Sequence, residues 1–392
     1  MAAGVLAPTV GSMPSTRPLR IVVAGGGFAA AELILALRAL AEDRVAIEQI
    51  TPSTELAFRP AATGTPFEVS RVDRYDLTSL AREAGARLRT DTVEAVAPRA
   101  RRLRLRSGGA VEYDALVLAL GARARAAISG AVTFRDQRDG HLVARLIEEL
   151  DLLEGRRVVF AAPSGVSWTL PLYELALLTA AEIERRDLAV ETTLITPEAA
   201  PLQVFGPGVS DRIEALLATS GVRRLRGVAH SVGRRRLTLT SGEAVHAARV
   251  IAVPRLVGRR VAGVPADWNG FVATDHHGRV QGVPDVFAAG DMTQFRIKQG
   301  GLATQQADVI AAVLAARSGA EVEIAPVRHV LRTRLLVPDG PLYLWVELDG
   351  EGRPLPVTEA PQISEEPLWW PAAKLFGRYL SPWMAAHEPV AA

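Results

Sequence analysis

Two short runs near opposite ends of the 392-residue chain carry residue types suited to holding a dinucleotide. Near the start, Gly25, Gly27 and Ala30 fill the spacing G-x-G-x-x-[G/A]. That spacing lets a pyrophosphate approach the bare N–H groups of a helix start, where a side chain at Gly25 or Gly27 would obstruct it. The late run, VPDVFAAGD, is an apolar stretch ending abruptly in Gly290 and Asp291. Just beyond it, IKQGGLATQQAD sets Lys298 ahead of a helix beginning near Gly300, with Gly301 and Leu302 in its first turn. A helix N-terminus and an ammonium side by side would stabilise negative charge developing on a bound group. Lysine is otherwise scarce: Lys298 and Lys374 stand against 43 arginines.

Other chemistries are excluded or weakly supported. With no cysteine, the chain has no disulfide, no thiolate metal site and no dithiol redox couple. His276 and His277 fall in TDHHGRV, which reads as a turn, and no metal-ligand spacing stands out. The acidic residue that usually holds a ribose about 20 residues after the glycines is replaced by Thr51, leaving that contact to a hydroxyl or to water. Lys+Arg and Asp+Glu number 45 and 43, a balance that implies no nucleic-acid-binding surface.

The elements that must position these residues are legible as hydrophobic periodicity. RIVVAGGGFAAAELILALRAL reads as strand, glycine turn and helix, and VAIEQIT supplies the next strand. EYDALVLALG is a buried strand ending in Gly121. A second unit of similar spacing opens with RRVVFAAPSG, continues with TTLITP and closes at RVIAVPRLVG, a weak internal repeat. The fold class is therefore α/β, with two Rossmann-like dinucleotide-binding domains and a small C-terminal cap. The expected divisions are a flexible tail (1–19), a first domain (20–128), an inserted second domain (129–254), the return to the first domain (255–318) and the cap (319–392).

These paired elements resemble the pyridine nucleotide-disulfide oxidoreductase superfamily, in particular its sulfide:quinone reductase and type II NADH dehydrogenase branch, over roughly residue 20 to the C-terminus. The resemblance implies FAD as cofactor, with Asp291 on its ribityl chain and the helix after Gly300 aimed at its pyrimidine edge, where Lys298 would act. It also places Phe58, Arg59 and Pro60 beside the flavin, the Val93 backbone at the adenine, and Gly121 at a close approach. It implies a flavin-dependent oxidoreductase passing electrons between a small donor and a small acceptor, a quinone among the candidates.

The chain departs from that pattern twice. The second unit has FAAPSGVSWTLPLYELALL where NADH-using relatives carry a second glycine loop, and Gly165 is its only glycine, which disfavours a standard NAD(P)H site. In sulfide:quinone reductases the same stretch carries a catalytic cysteine, whose position here falls near Trp168, so sulfur relay through thiolates is excluded. Tyr173 and Glu174, at the start of the following helix, either pack that helix or face the crevice. An NAD(P)H reductase with an irregular loop and a catalytically silent FAD-binding partner or redox sensor remain as alternatives.

In the tail, PLWWPAAKLFGRYLSPWMAAHEPVAA has Ala372, Leu375, Phe376, Tyr379 and Leu380 at helical spacing, with Lys374, Arg378 and Ser381 opposite. This predicts a short amphipathic helix from Pro371, limited by Pro382, that either lies in a membrane interface or covers the protein's own core. No signal peptide or membrane-spanning run is legible, so the expected location is cytoplasmic, with peripheral membrane contact and a homodimer both compatible.

Overall fold

The structure, a computed structural model, describes residues 17–153, 156–356 and 362–390, so most of the expected N-terminal tail lies outside the described residues. The chain opens with β1 (Leu19–Ala24), α1 (Phe28–Ala41) and β2 (Val45–Thr51), then β3 (Arg87–Thr90) and β4 (Ala115–Leu118). β5 (Ala122–Arg125) carries it into an inserted unit of β6 (Val132–Thr133), β7 (Arg157–Ala161), α2 (Leu170–Arg185), β8 (Glu191–Thr196), β9 (Val222–Arg226) and β10 (Arg249–Ala252). It returns along β11 (Arg255–Gly258), antiparallel to β5, and the first unit continues with β12 (Val286–Ala288) and α3 (Gly300–Arg317).

Both units are five-stranded sheets, ordered β12-β4-β1-β2-β3 and β6-β10-β7-β8-β9, and every neighbouring pair within them is parallel. The weak repeat is thus a repeat of topology: β1 and β7 are the central strands, flanked by β2 and β4 in one sheet and by β8 and β10 in the other. A three-stranded antiparallel excursion follows β3 in the first and β9 in the second. Parallel strands are buried on both faces and accordingly read as apolar runs; all four residues of β4 are buried.

α1 buries nearly its whole circumference, including Glu32 at 0% exposure, because it is covered by the sheet, α3 and the C-terminal segment. After α3 come β13 (His329–Leu335), β14 (Leu342–Leu348) and β15 (Ile363–Ser364), an antiparallel sheet, and α4 (Leu380–Ala386).

The amphipathic helix expected from Pro371 does not form. Residues 371–379 make turns and irregular chain, and α4 carries Pro382 in its first turn, where a missing N–H costs little. Tertiary bonds outcompete the helical pattern. Tyr379 and Leu380 donate their N–H groups to the Glu32 carboxylate at 2.8 and 2.6 Å, and Gly377 packs so closely that an added Cβ would lie 2.5 Å from Glu32 Oε2. Leu375 and Leu380 are buried and Trp383 packs on Tyr75, so this segment's apolar side chains are largely spent internally, although Trp370 stays 82% exposed. Among the described residues no helix is long and apolar enough to cross a membrane.

Candidate active site

In an open parallel sheet, ligands gather at the carboxyl ends of the strands where the strand order reverses. Here that point brings together Gly25 after β1, Gly121 after β4 and Gly290 with Asp291 after β12. These residues line a cleft of about 1010 Å³ that extends to the inserted unit, together with Gly27, Thr51, Arg59, Pro60, Val93 and Lys298. Ala30, Gly301 and Leu302 are buried behind its walls instead.

The glycines divide by role. Gly25 has φ +143°, and a Cβ there would lie 2.3 Å from the Ala119 carbonyl oxygen, so this glycine makes the strand-to-strand approach possible. Gly27 and Gly121 face open space: a side chain at either would fill the cleft, not strike protein. An open cradle at the start of α1 suits a phosphate-bearing group. The Thr51 hydroxyl is engaged with Ser53, donating to its carbonyl at 3.1 Å, so the expected ribose contact competes with a local turn.

Asp291 sits on a single tight turn, Gly290–Met292, and its carboxylate makes no hydrogen bond among the described residues. Burial raises its pKa, opposed by the nearby Lys298 ammonium. Its acceptor capacity is thus unspent toward the cleft, as a hydroxyl-bearing ligand requires. Lys298 donates to the Thr293 carbonyl and lies 4.0 Å over the Phe271 ring. Burial lowers its pKa to about 8, with Asp291 and Asp267 resisting the shift. The α3 start is already capped: Gln299 Oε1 accepts the Leu302 N–H at 3.0 Å, so Gln299 and Gly300, not Gly301 and Leu302, present this helix end to the cleft.

Another wall holds a group that sequence reading missed. Lys374, expected on the polar face of a surface helix, is 7% exposed and donates to Glu174 Oε2 at 2.6 Å and to Thr63 Oγ1 at 3.2 Å. Thr63 also donates to Glu174 Oε2 at 2.6 Å, and the Leu336 N–H donates to Oε1 at 2.9 Å. All three side chains line the cleft, and burial depresses the Lys374 pKa against the pull of Glu174. The available signal was scarcity: both lysines of the chain line the same cleft.

The inserted unit's own crevice is differently furnished. Glu198, just past the end of β8 where a dinucleotide fold positions its ribose acid, accepts hydrogen bonds from Tyr173 Oη and Thr169 Oγ1, each at 2.8 Å. Burial raises the pKa of Glu198 and of the Tyr173 phenol. Residues at the α2 start therefore occupy the acid internally. Trp168, near the expected cysteine position, lines the main cleft and packs on Phe205 with ring centroids 6.2 Å apart. His276 and His277 form the expected turn, and no cluster of three or more potential metal ligands occurs among the described residues.

Two doubly flanked parallel sheets sharing one glycine-lined cleft define the class of two-dinucleotide-domain, flavin-dependent oxidoreductases. The chain belongs to the pyridine nucleotide-disulphide oxidoreductase family, whose model matches residues 19–307. It is 30% identical over 305 residues to an NADH dehydrogenase-like protein of Mycobacterium tuberculosis (strain CDC 1551 / Oshkosh), covering 71% of this chain and 74% of that protein. Its fold is similar to the sulfide:quinone oxidoreductase of the hyperthermophilic bacterium Aquifex aeolicus, with a TM-score of 0.72, 21% identity and 84% of each chain covered. A ferredoxin reductase from Rhodopseudomonas palustris aligns with a TM-score of 0.63 and 19% identity, over 84% of this chain and 83% of that one.

Proposed function

We propose that the protein holds FAD in the first crevice and passes electrons from a small donor to a small acceptor, with a quinone as the acceptor the site fits best. The observation that carries this reading is that Lys298 and Lys374, held by different elements, both line one cleft and are both depressed in pKa by burial. When bound, FAD supplies the two-electron transfer. Gly25 and Gly27 give a diphosphate access to the α1 start, Ala30 packs that helix, and Asp291 accepts from ribityl hydroxyls. Thr51, Arg59, Pro60, Val93 and Gly121 complete the walls. Lys298, lining the cleft beside Asp291, would offer a positive charge to a bound group that gains electrons. Quinone reduction consumes protons as well as electrons, and the buried Lys374, bonded to Glu174 and Thr63, is a proton source facing the cleft. None of this calls on a thiolate.

The test is anaerobic mixing of the yellow protein with NADH, NADPH or a reduced quinone, followed by a short-chain quinone. Bleaching by a donor and recovery of colour by the quinone within seconds are expected, and Lys374→Gln slows only the recovery. A protein that purifies colourless, or whose colour no donor removes, ends the proposal. A nicotinamide donor is a second reading, favoured by the NADH dehydrogenase-like relative and opposed by the engaged Glu198; rapid bleaching by NADH alone selects it.

A further inference from the structure

Both lysines of the chain line the cleft, and they are held in different ways. Lys374 is bonded to the Glu174 carboxylate, so its charge is answered where it stands. Lys298 makes no ion pair among the described residues: it donates to the Thr293 carbonyl, and its Nζ stands 4.0 Å from the centre of the Phe271 ring. An aromatic face attracts an ammonium through its quadrupole, and a quadrupole carries no net charge. The ring therefore holds the cation without cancelling it, and the field of Lys298 stays available to whatever occupies the cleft.

Phe271 is itself fixed on both sides. On one, the Val272 N–H donates to the Met292 carbonyl and the Val272 carbonyl accepts the Gln294 N–H, each at 2.9 Å. The ring and the Thr293 carbonyl that share Lys298 thus sit on two directly bonded segments. On the other, the Phe271 N–H donates to the Asp267 carboxylate at 2.9 Å, and the Phe271 carbonyl accepts the Asp267 N–H at 2.8 Å. Arg260 donates to the Asp267 and Trp268 carbonyls at 2.5 and 2.9 Å, and the Asn269 carbonyl accepts the Gly258 N–H at 2.9 Å, which ties the turn to the end of β11. That junction admits no side chain: a Cβ on Gly258 would lie 1.9 Å from the Gly270 carbonyl oxygen. Asp267, Asn269 and Phe271 all line the cleft. The charged groups that bear on Lys298 are Asp291 and Asp267, while Arg260 is spent on the carbonyls of the turn.

We propose that Phe271, held by the Asp267 turn, is a positioning residue for Lys298: it seats the ammonium beside Asp291 so that the positive charge acts on the flavin. This rests on the FAD reading above. A lysine carries a compact charge on a flexible four-carbon stem, so its effect depends on where it is held. A carboxylate in place of the ring would fix the stem and neutralise the charge; the ring fixes it and leaves the charge in force.

The test measures the midpoint potential of the flavin in the FAD-loaded protein by equilibration with a redox dye. Lys298→Gln lowers the potential, because reduction adds negative charge that the ammonium stabilises. Phe271→Leu lowers it by part of that drop, and Phe271→Tyr, which keeps the ring, leaves it at the parent value. Phe271→Leu added to Lys298→Gln lowers it no further, since the two residues act as a unit. Phe271→Met, whose flexible side chain fills the gap, carries the same expectation if the leucine variant does not fold. A second readout is trace acetylation at pH 7, with Lys298 and Lys374 separated by peptide mass. Removing the ring speeds acetylation of Lys298 about two- to fivefold, the factor such a contact is worth at a partly exposed site, with Lys374 as the unchanged internal standard. A potential unmoved by Phe271→Leu overturns the proposal, as does an equal drop in the Lys298→Gln background or an unchanged acetylation rate. Loss of flavin from a folded Phe271→Leu protein also overturns it, by assigning Phe271 to cofactor binding. In a parent that purifies without flavin the proposed function fails, and the acetylation contrast alone decides whether Phe271 seats Lys298.

Discussion

The two parallel sheets share a strand order, yet their crevices are opposites. The first ends its strands in glycines that leave open space, with Gly27 and Gly121 open to a cleft and an Asp291 carboxylate that makes no hydrogen bond among the described residues. The second fills the equivalent region with its own side chains, Thr169 and Tyr173 closing on Glu198. Topology therefore fixes where a ligand can sit, and a few residues after each strand decide whether it can enter.

The ion pair of Glu174 and Lys374, which fastens the inserted unit to the C-terminal segment, offers the strongest challenge to this comparison. Glu174→Ala leaves Lys374 buried without its carboxylate, a loss of about 3–5 kcal/mol by the usual cost of an unpaired buried charge, read as a lower urea midpoint. An unchanged midpoint would mean that water reaches the cleft wall. Next, Gly27→Leu fills the open cradle; by the typical cost of overpacking, FAD binding weakens by about 1–3 kcal/mol, roughly 5- to 150-fold. Flavin retention on gel filtration checks it, and a fully yellow variant would show that this crevice is not the cofactor's.

The charge beside Asp291 has a pH signature. The Lys298 pKa of about 8 is lowered from 10.5, so its positive charge is lost as pH rises through that value. Donor-driven bleaching therefore slows above pH 8 in the parent, whereas Lys298→Gln is slow throughout and lacks that inflection. On the sealed side, Tyr173→Phe removes the hydrogen bond to Glu198 and the acceptor of the Leu202 N–H, costing about 1–3 kcal/mol, with the response to NADH unaltered; a gain in NADH affinity would show that the seal can open.

A last measurement concerns α1 and α3. Asp308 has its pKa raised to about 9 by burial and by Glu32, so the folded protein holds a proton that the unfolded chain releases above its ordinary 3.8. Stability from this group is complete below that value and is lost as pH rises toward 9. Asp308→Asn, which mimics the protonated form, raises Tm at pH 9 and leaves it nearly unchanged at pH 4.

What was legible in the sequence was local. Gly25, Gly290 and Asp291 declare themselves because each terminates an apolar strand, and the repeat appeared because both units write the same strand rhythm. The triad of Thr63, Glu174 and Lys374 was not legible as a group: Glu174 and Lys374 stood out singly, but the three lie on separate elements and meet only by tertiary packing. The C-terminal helix was misread for the complementary reason, since its 3.6-residue period was real but Glu32, more than 300 positions away, claimed its backbone donors. Glu198 likewise gave no sign that Thr169 and Tyr173 would occupy it.

The insertion also dictates an order of maturation on the ribosome. The first sheet begins at Leu19 but lacks its edge strand until Val286–Ala288 is made, and α1 lacks its cover until Leu380 arrives. The inserted sheet is complete once Arg249–Ala252 has emerged. A nascent chain thus carries a finished middle domain while β4 in its older N-terminal half still lacks the partner that β12 supplies and α1 still lacks its cover.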